Sequence, residues 1–251
     1  MPSRVPLRLR RRLTLCALVL AFSCRLGAQT APTPALQDEF ADEIARFTAA
    51  DRLAPPANCE VLFVGSSSIV KWKETLNADM APLPVINRGF GGSHIEHVNR
   101  WFDQIVAPYH PRAIVFYAGE NDIDAGKSVE QVVSDFDEFM KRKTLALADT
   151  PVYFISLKPS KLRFAEFAKQ GLVNQTIRDL VDQRTDLHYI DVVSGMLDKN
   201  GKLQDLYVDD GLHMNAKGYE IWTRAVRAAL IPNTEGEART CHARLDSTPT
   251  R

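Results

Sequence analysis

Cysteine is scarce in this chain of 251 residues. There are four, and Cys16 and Cys24 fall within the first 28 positions. The other two, Cys59 and Cys241, show no metal-ligand spacing, which argues against a cysteine-bound zinc. Cys59 stands just before an apolar run and Cys241 in a polar tail, so no structural disulfide between them is expected. Long hydrophobic runs are also missing. The extended apolar stretch LTLCALVLAF (13–22) has ten residues, too few to span a bilayer, so stable membrane insertion is not expected. Gly-x-Ser-x-Gly, the strand-to-helix elbow of one large hydrolase class, does not occur. Neither does a phosphate-binding or dinucleotide-binding glycine pattern, since the GFGG at 89–92 has the wrong spacing for both. No internal repeat or second domain is visible.

Negative charge is absent from the front of the chain. Six arginines and no acidic residue occupy the first 28 positions, leaving 25 basic against 31 acidic residues in the remainder. A body with that balance repels phosphate backbones, which argues against nucleic acid as a partner. The front itself, basic RLRRR followed by the short apolar run and then small residues, has the layout of a secretory signal over 1–28. The expected compartment is therefore the periplasm or the exterior. Cys24 leaves a lipid-attachment reading open there.

Residues 29–57 read as a linker and one helix, the latter in ALQDEFADEIARFTAAD. From 58 to 231, short apolar runs alternate with helical patterns. EVLFVG, PVINRG, RAIVFYAG, PVYFISLKP and LHYIDVV are five candidate strands, near-continuous in apolar residues as in parallel sheets buried on both faces. Helical segments separate them and NAKGYEIWTRAVRAAL closes the domain. This predicts an α/β fold, a three-layer α/β/α sandwich around a flavodoxin-like five-stranded parallel sheet. The polar stretch 232–251 is expected to be disordered.

Ligands and reactive groups of such sheets gather beyond the carboxyl ends of the strands. Those ends carry GSSSI, NRGFGGSH, AGENDID, SLKPSK and DDGLHMN. A serine hydroxyl needs a base, a group orienting that base, and donors for an oxyanion before it can act as a nucleophile. His213 is the candidate base, because Asp210 lies three residues before it in a glycine-containing turn and can reach its ring. Asp210 could instead cap the closing helix, but Asn215 stands nearer the helix start and is available for that. The glycines of NRGFGGSH permit backbone shapes that expose N–H groups. Asn121 offers a side-chain amide. His94 and His97, three apart in HIEH, could touch a metal, but no third ligand follows at a recognisable spacing.

In order along the chain, a serine after the first strand, a glycine after the second, an asparagine after the third and Asp-x-x-His near the end resemble the SGNH hydrolases, the GDSL-type esterases and lipases. The resemblance covers roughly 58–230. Gly65 matches the first glycine, Ser66 stands where the family usually has aspartate, and Ser67 matches the nucleophile, with Trp72 in the expected register. Gly92 and Asn121, the latter in Gly119-Glu120-Asn121-Asp122, match the oxyanion positions, and Asp210 and His213 match the last block. The resemblance implies a serine esterase without metal or organic cofactor. It would act on small-molecule or glycan esters through Ser67, His213 and Asp210, with Ser67, Gly92 and Asn121 forming the oxyanion hole. Acyl groups are expected to be short or acetyl, since no long apolar lid segment occurs. Acyl transfer on the same fold and a non-catalytic carbohydrate-binding or cell-envelope role are the alternatives.

Overall fold

The computed structural model describes residues 39–247. The expected signal segment, including Cys24, lies outside the described residues. Five strands form the sheet: β1 (Val61–Gly65), β2 (Val85–Gly89), β3 (Ala113–Tyr117), β4 (Val152–Ile155) and β5 (Leu187–Ile190). All pairs are parallel and the order is β2-β1-β3-β4-β5. Each expected strand is present, shorter by one to a few residues than the apolar run that announced it. The central strands β1, β3 and β4 are buried at every position, whereas the edge strands β2 and β5 are partly open. That difference is what burial on two faces requires of the middle of a sheet but not of its margins.

The first helices are α1 (Ala41–Leu53), α2 (Ser67–Trp72), α3 (Leu76–Met80), α4 (Ile95–Arg100) and α5 (Phe102–Ile105). They are followed by α6 (Glu120–Asp124), α7 (Val129–Leu147), α8 (Phe167–Val181), α9 (Val193–Met196), α10 (Ala216–Leu230) and α11 (Thr234–Ser247). Helices α4, α7 and α8 pack side by side, while α10 meets α3 and α9, so that helices flank the sheet in a three-layer α/β/α arrangement. The long helices start where their caps dictate. Ser128 and Gln131 form a reciprocal capping box for α7, at 3.2 and 2.7 Å. Asn215 caps α10 by accepting from the Gly218 N–H at 3.2 Å, which leaves Asp210 free of that duty. Helix α10 buries Gly218, Trp222, Val226 and Leu230, one residue per turn, against the sheet. Helix α1 is anchored through Asp51, which pairs with buried Arg88, itself sandwiched by the Phe47 and Tyr109 rings at 5.0 and 4.6 Å.

Two expectations about the C-terminal segment are corrected. The stretch expected to be disordered carries α11, and Cys241 on that helix is bonded to Cys59 across 182 residues of sequence, with Cα atoms 5.8 Å apart. Both cysteines are buried. Glu237 accepts a hydrogen bond from Tyr153, and Arg244 reaches Asp149 at 2.6 Å. A polar helix with little apolar surface of its own is thus held by a covalent tie and by polar anchors. Neither shows in hydrophobic patterning.

Candidate active site

Gly65 ends β1 at φ +138°, and a Cβ placed on it would sit 1.9 Å from the Tyr117 carbonyl oxygen. No side chain fits, so the glycine of GSSS is demanded by the contact between β1 and β3 as well as by its backbone angle. The Ser66 N–H then donates to that same Tyr117 oxygen at 2.9 Å, and the Phe90 N–H donates to the Gly65 oxygen at 2.9 Å. These bonds lock the turn after β1 between the ends of β2 and β3. Ser66 and Ser68 are buried, and of the three serines only Ser67, first residue of α2, is open to solvent.

The ring of His213 reaches Ser67 from the far end of the chain. Its Nε2 lies 2.9 Å from Ser67 Oγ and its Nδ1 lies 2.6 Å from Asp210 Oδ2. The other oxygen of Asp210 accepts the backbone N–H groups of Leu212 and His213, both at 2.8 Å. The His213 hydrogen bond, helped by those two N–H donors, holds the Asp210 carboxyl well below the usual carboxylate range although burial opposes it. The turn owes its shape to Gly211, at φ +66°, and to the Val208 N–H, which donates to the His213 oxygen at 2.9 Å. His213 is largely enclosed, with a side chain 16% exposed, whereas Asp210 is 45% exposed.

Asn121 is the second residue of the short helix α6 after β3, whose N-cap is Gly119 at φ +121°. Its Nδ2 donates to the Ser93 carbonyl oxygen at 3.0 Å, which ties the amide to the segment holding Gly92. Gly92 has φ +80° and open space where a side chain would be. The four positions singled out at the ends of β1, β2 and β3 and before α10 therefore converge at one end of the sheet.

The histidine pair of HIEH has a third donor after all, since His94, Glu96 and His97 bring ligand atoms within 4.8 Å of one another. Two of those atoms already have partners. Lys127 sits 2.8 Å from Glu96, and His97 Nδ1 accepts the His94 backbone N–H at 2.9 Å.

Sequence reasoning passed over a buried polar group behind the site. SLKPSK stood out only as a strand-end segment. In the structure Lys158 is fully buried and donates to Glu120, at 3.1 and 3.3 Å, and to the Leu212 carbonyl oxygen at 2.8 Å. The Tyr117 hydroxyl donates to Glu120 at 2.6 Å, and burial pushes that phenol well above its ordinary pKa, so it stays a donor. The signal available in sequence was a lysine and a glutamate, each just beyond the end of an apolar strand.

Residues 57–221 match the model of the GDSL-like lipase/acylhydrolase family. The chain belongs to that family. It is an SGNH hydrolase and hence a carboxylic ester hydrolase. No curated protein matches it. Its fold is similar to a Streptococcus pneumonia protein named for platelet activating factor, with TM-score 0.66 and 19% identity over 76% of this chain and 92% of that one. It is also similar to a GDSL-like lipase from Bacteroides thetaiotaomicron, with TM-score 0.64 and 17% identity over 78% and 98%. A carbohydrate esterase of family 3 from Talaromyces cellulolyticus gives TM-score 0.58 and 18% identity over 71% and 99%. At these identities the likeness is one of fold.

Proposed function

We propose that this SGNH hydrolase is an exported serine esterase that removes short acyl groups, acetyl foremost, from small-molecule or glycan alcohols. The observation that carries the reading is the continuous chain from Ser67 Oγ through the His213 ring to Asp210, at 2.9 and 2.6 Å. In this mechanism His213 Nε2 takes the Ser67 proton as Oγ attacks the ester carbonyl carbon. The backbone N–H groups of Ser67 and Gly92 and the Asn121 amide donate to the oxyanion. His213 then gives the proton to the departing alkoxide, and water, activated by the same ring, releases the acid from the acyl enzyme. Asp210 keeps the ring proton on Nδ1 and steadies the imidazolium. Ser66, standing where aspartate is usual, is buried and takes no step.

Short acyl groups are favoured because the sequence carries no long apolar insertion that could sheathe an extended chain. A glycan alcohol is consistent with the naming of fold neighbours as a carbohydrate esterase and an acetyl-xylooligosaccharide esterase. Export is supported by the basic-then-apolar front of the chain and by the Cys59–Cys241 disulfide, a bond that persists in oxidising compartments. The test is hydrolysis of p-nitrophenyl acetate, butyrate and octanoate, together with acetate release from acetylated xylan. Ser67→Ala should abolish turnover, while Ser66→Ala and Ser68→Ala keep it within about tenfold. An active Ser67→Ala variant, or a preference for octanoate, refutes the corresponding part of the reading.

A further inference from the structure

The segment after β4, Ser156 to Arg163, lies behind the site and supplies two cations to it. Lys158 reaches the carbonyl of Leu212, immediately before His213. Arg163 reaches forward to Asn121. Its Nη1 donates to Asn121 Oδ1 at 2.9 Å and lies 3.7 Å from Glu120 Oε1, and its Nη2 lies 2.7 Å from Asp124 Oδ2. The guanidinium side chain is only 12% exposed. With Glu120, Asp124 and the Asn121 oxygen on its two terminal nitrogens, its charge is already answered within the protein, which argues against an anionic part of the substrate as its partner.

An asparagine amide has two ends of nearly equal shape, and only the nitrogen can donate to an oxyanion. Facing Arg163, the oxygen end accepts. Turned over, the amide would set its own N–H groups against those of the guanidinium and would withdraw its donor from the Ser93 carbonyl. A cation on the oxygen also draws electron density from the nitrogen and strengthens its N–H groups as donors. We propose that Arg163 is a positioning residue for the oxyanion donor Asn121, fixing through Oδ1 the orientation in which Nδ2 faces the reacting ester. The proposal rests on the reading of Asn121 as an oxyanion donor, and the experiment separates the two.

The experiment is a double-mutant cycle of Arg163→Ala and Asn121→Ala, with kcat and KM measured on p-nitrophenyl acetate and melting temperature as the control for folding. Loss of an oxyanion donor lowers kcat by about 10²–10³, so Asn121→Ala should do so, and Arg163→Ala should lower kcat by about tenfold to a hundredfold with KM changed by less than about twofold. In the Asn121→Ala background, Arg163→Ala should cost less than about threefold more, because it acts through a group that is gone. Arg163→Lys, which keeps the charge and one donor, should recover part of the kcat. If Arg163→Ala does not fold, Arg163→Met, which keeps the apolar stem, enters the same cycle. A full additional loss in the Asn121→Ala background, or a loss expressed in KM, overturns the positioning role while leaving Asn121 as donor. An Asn121→Ala variant with normal kcat overturns the donor reading and the proposal together.

Discussion

Asp210→Asn replaces one carboxylate oxygen with an NH₂ group and should cost most of the activity. The wild-type chain needs the Nε2 lone pair toward Ser67 Oγ, so the ring proton belongs on Nδ1, facing Asp210 Oδ2 at 2.6 Å. Asparagine at this position has a choice of two orientations. Its oxygen can remain on the Leu212 and His213 N–H groups, both at 2.8 Å, which puts its NH₂ against Nδ1. The ring must then accept at Nδ1 and carry its proton on Nε2, where it cannot take one from serine. Turning the amide over restores the tautomer but gives up two backbone hydrogen bonds, at about 0.5–1.5 kcal/mol each, and opposes donors to donors. The productive arrangement is therefore a minor one, and the imidazolium also loses the carboxylate that faces it at 2.6 Å. In the serine-protease template the equivalent change costs about 10⁴ in kcat. Asp210 is 45% exposed, so water can partly substitute for it. A loss of about 10²–10⁴ in kcat/KM, or about 3–5 kcal/mol, is expected. The assay is initial-rate hydrolysis of p-nitrophenyl acetate at neutral pH by wild type and variant, with thermal melts to show that the turn survives. Activity within tenfold of wild type in a folded variant refutes the reasoning.

Gly65→Ala drives a Cβ to 1.9 Å from a strand carbonyl and should leave little folded protein, seen as loss of soluble expression or of a cooperative melt; a normal melt would contradict the contact. Cys59→Ser with Cys241→Ser opens a loop of 182 residues, worth up to about 5 kcal/mol by chain entropy. Urea unfolding should register a loss of that order or less. Esterase activity of the native state should persist, because the bond lies away from the strand ends that carry Ser67. Glu237 is pushed up by burial, only partly offset by the Tyr153 hydrogen bond. The docked helix then holds a proton more tightly than the free chain does, so α11 docking is strongest below the ordinary glutamate value of about 4.3 and weakens as pH rises through the raised value. Amide exchange along α11 in the Cys59→Ser, Cys241→Ser protein, corrected for intrinsic rates, should show less protection at neutral than at acidic pH, and the opposite trend refutes it.

The strands were legible because each is a short run of apolar residues ending at a glycine or a polar turn, and burial on both faces leaves little freedom in composition. The cap of α10 was legible for a similar reason: Asn215 acts within one turn of itself. Helix α11 was misread because its stability is not local. Its sequence is polar, and what holds it is a cysteine 182 residues away and a tyrosine on β4. The segment HIEHVNRWFDQIV between β2 and β3 is two short helices meeting at Trp101, whose indole N–H donates to the Glu39 carbonyl oxygen at 3.2 Å, a break set by a contact 62 residues away in sequence.

Taken by itself, the sequence determined the α/β class, the order of the motif blocks and the residue types at each strand end, all of which depend on near neighbours and on periodicity. Only the tertiary structure decided which of three adjacent serines is open to solvent and faces His213, which oxygen of Asp210 serves the ring, that Cys59 meets Cys241, and that Lys158 and Arg163 stand behind the site. Each of those depends on distances between residues remote in the chain, and such distances are set by how the layers pack rather than by any local pattern.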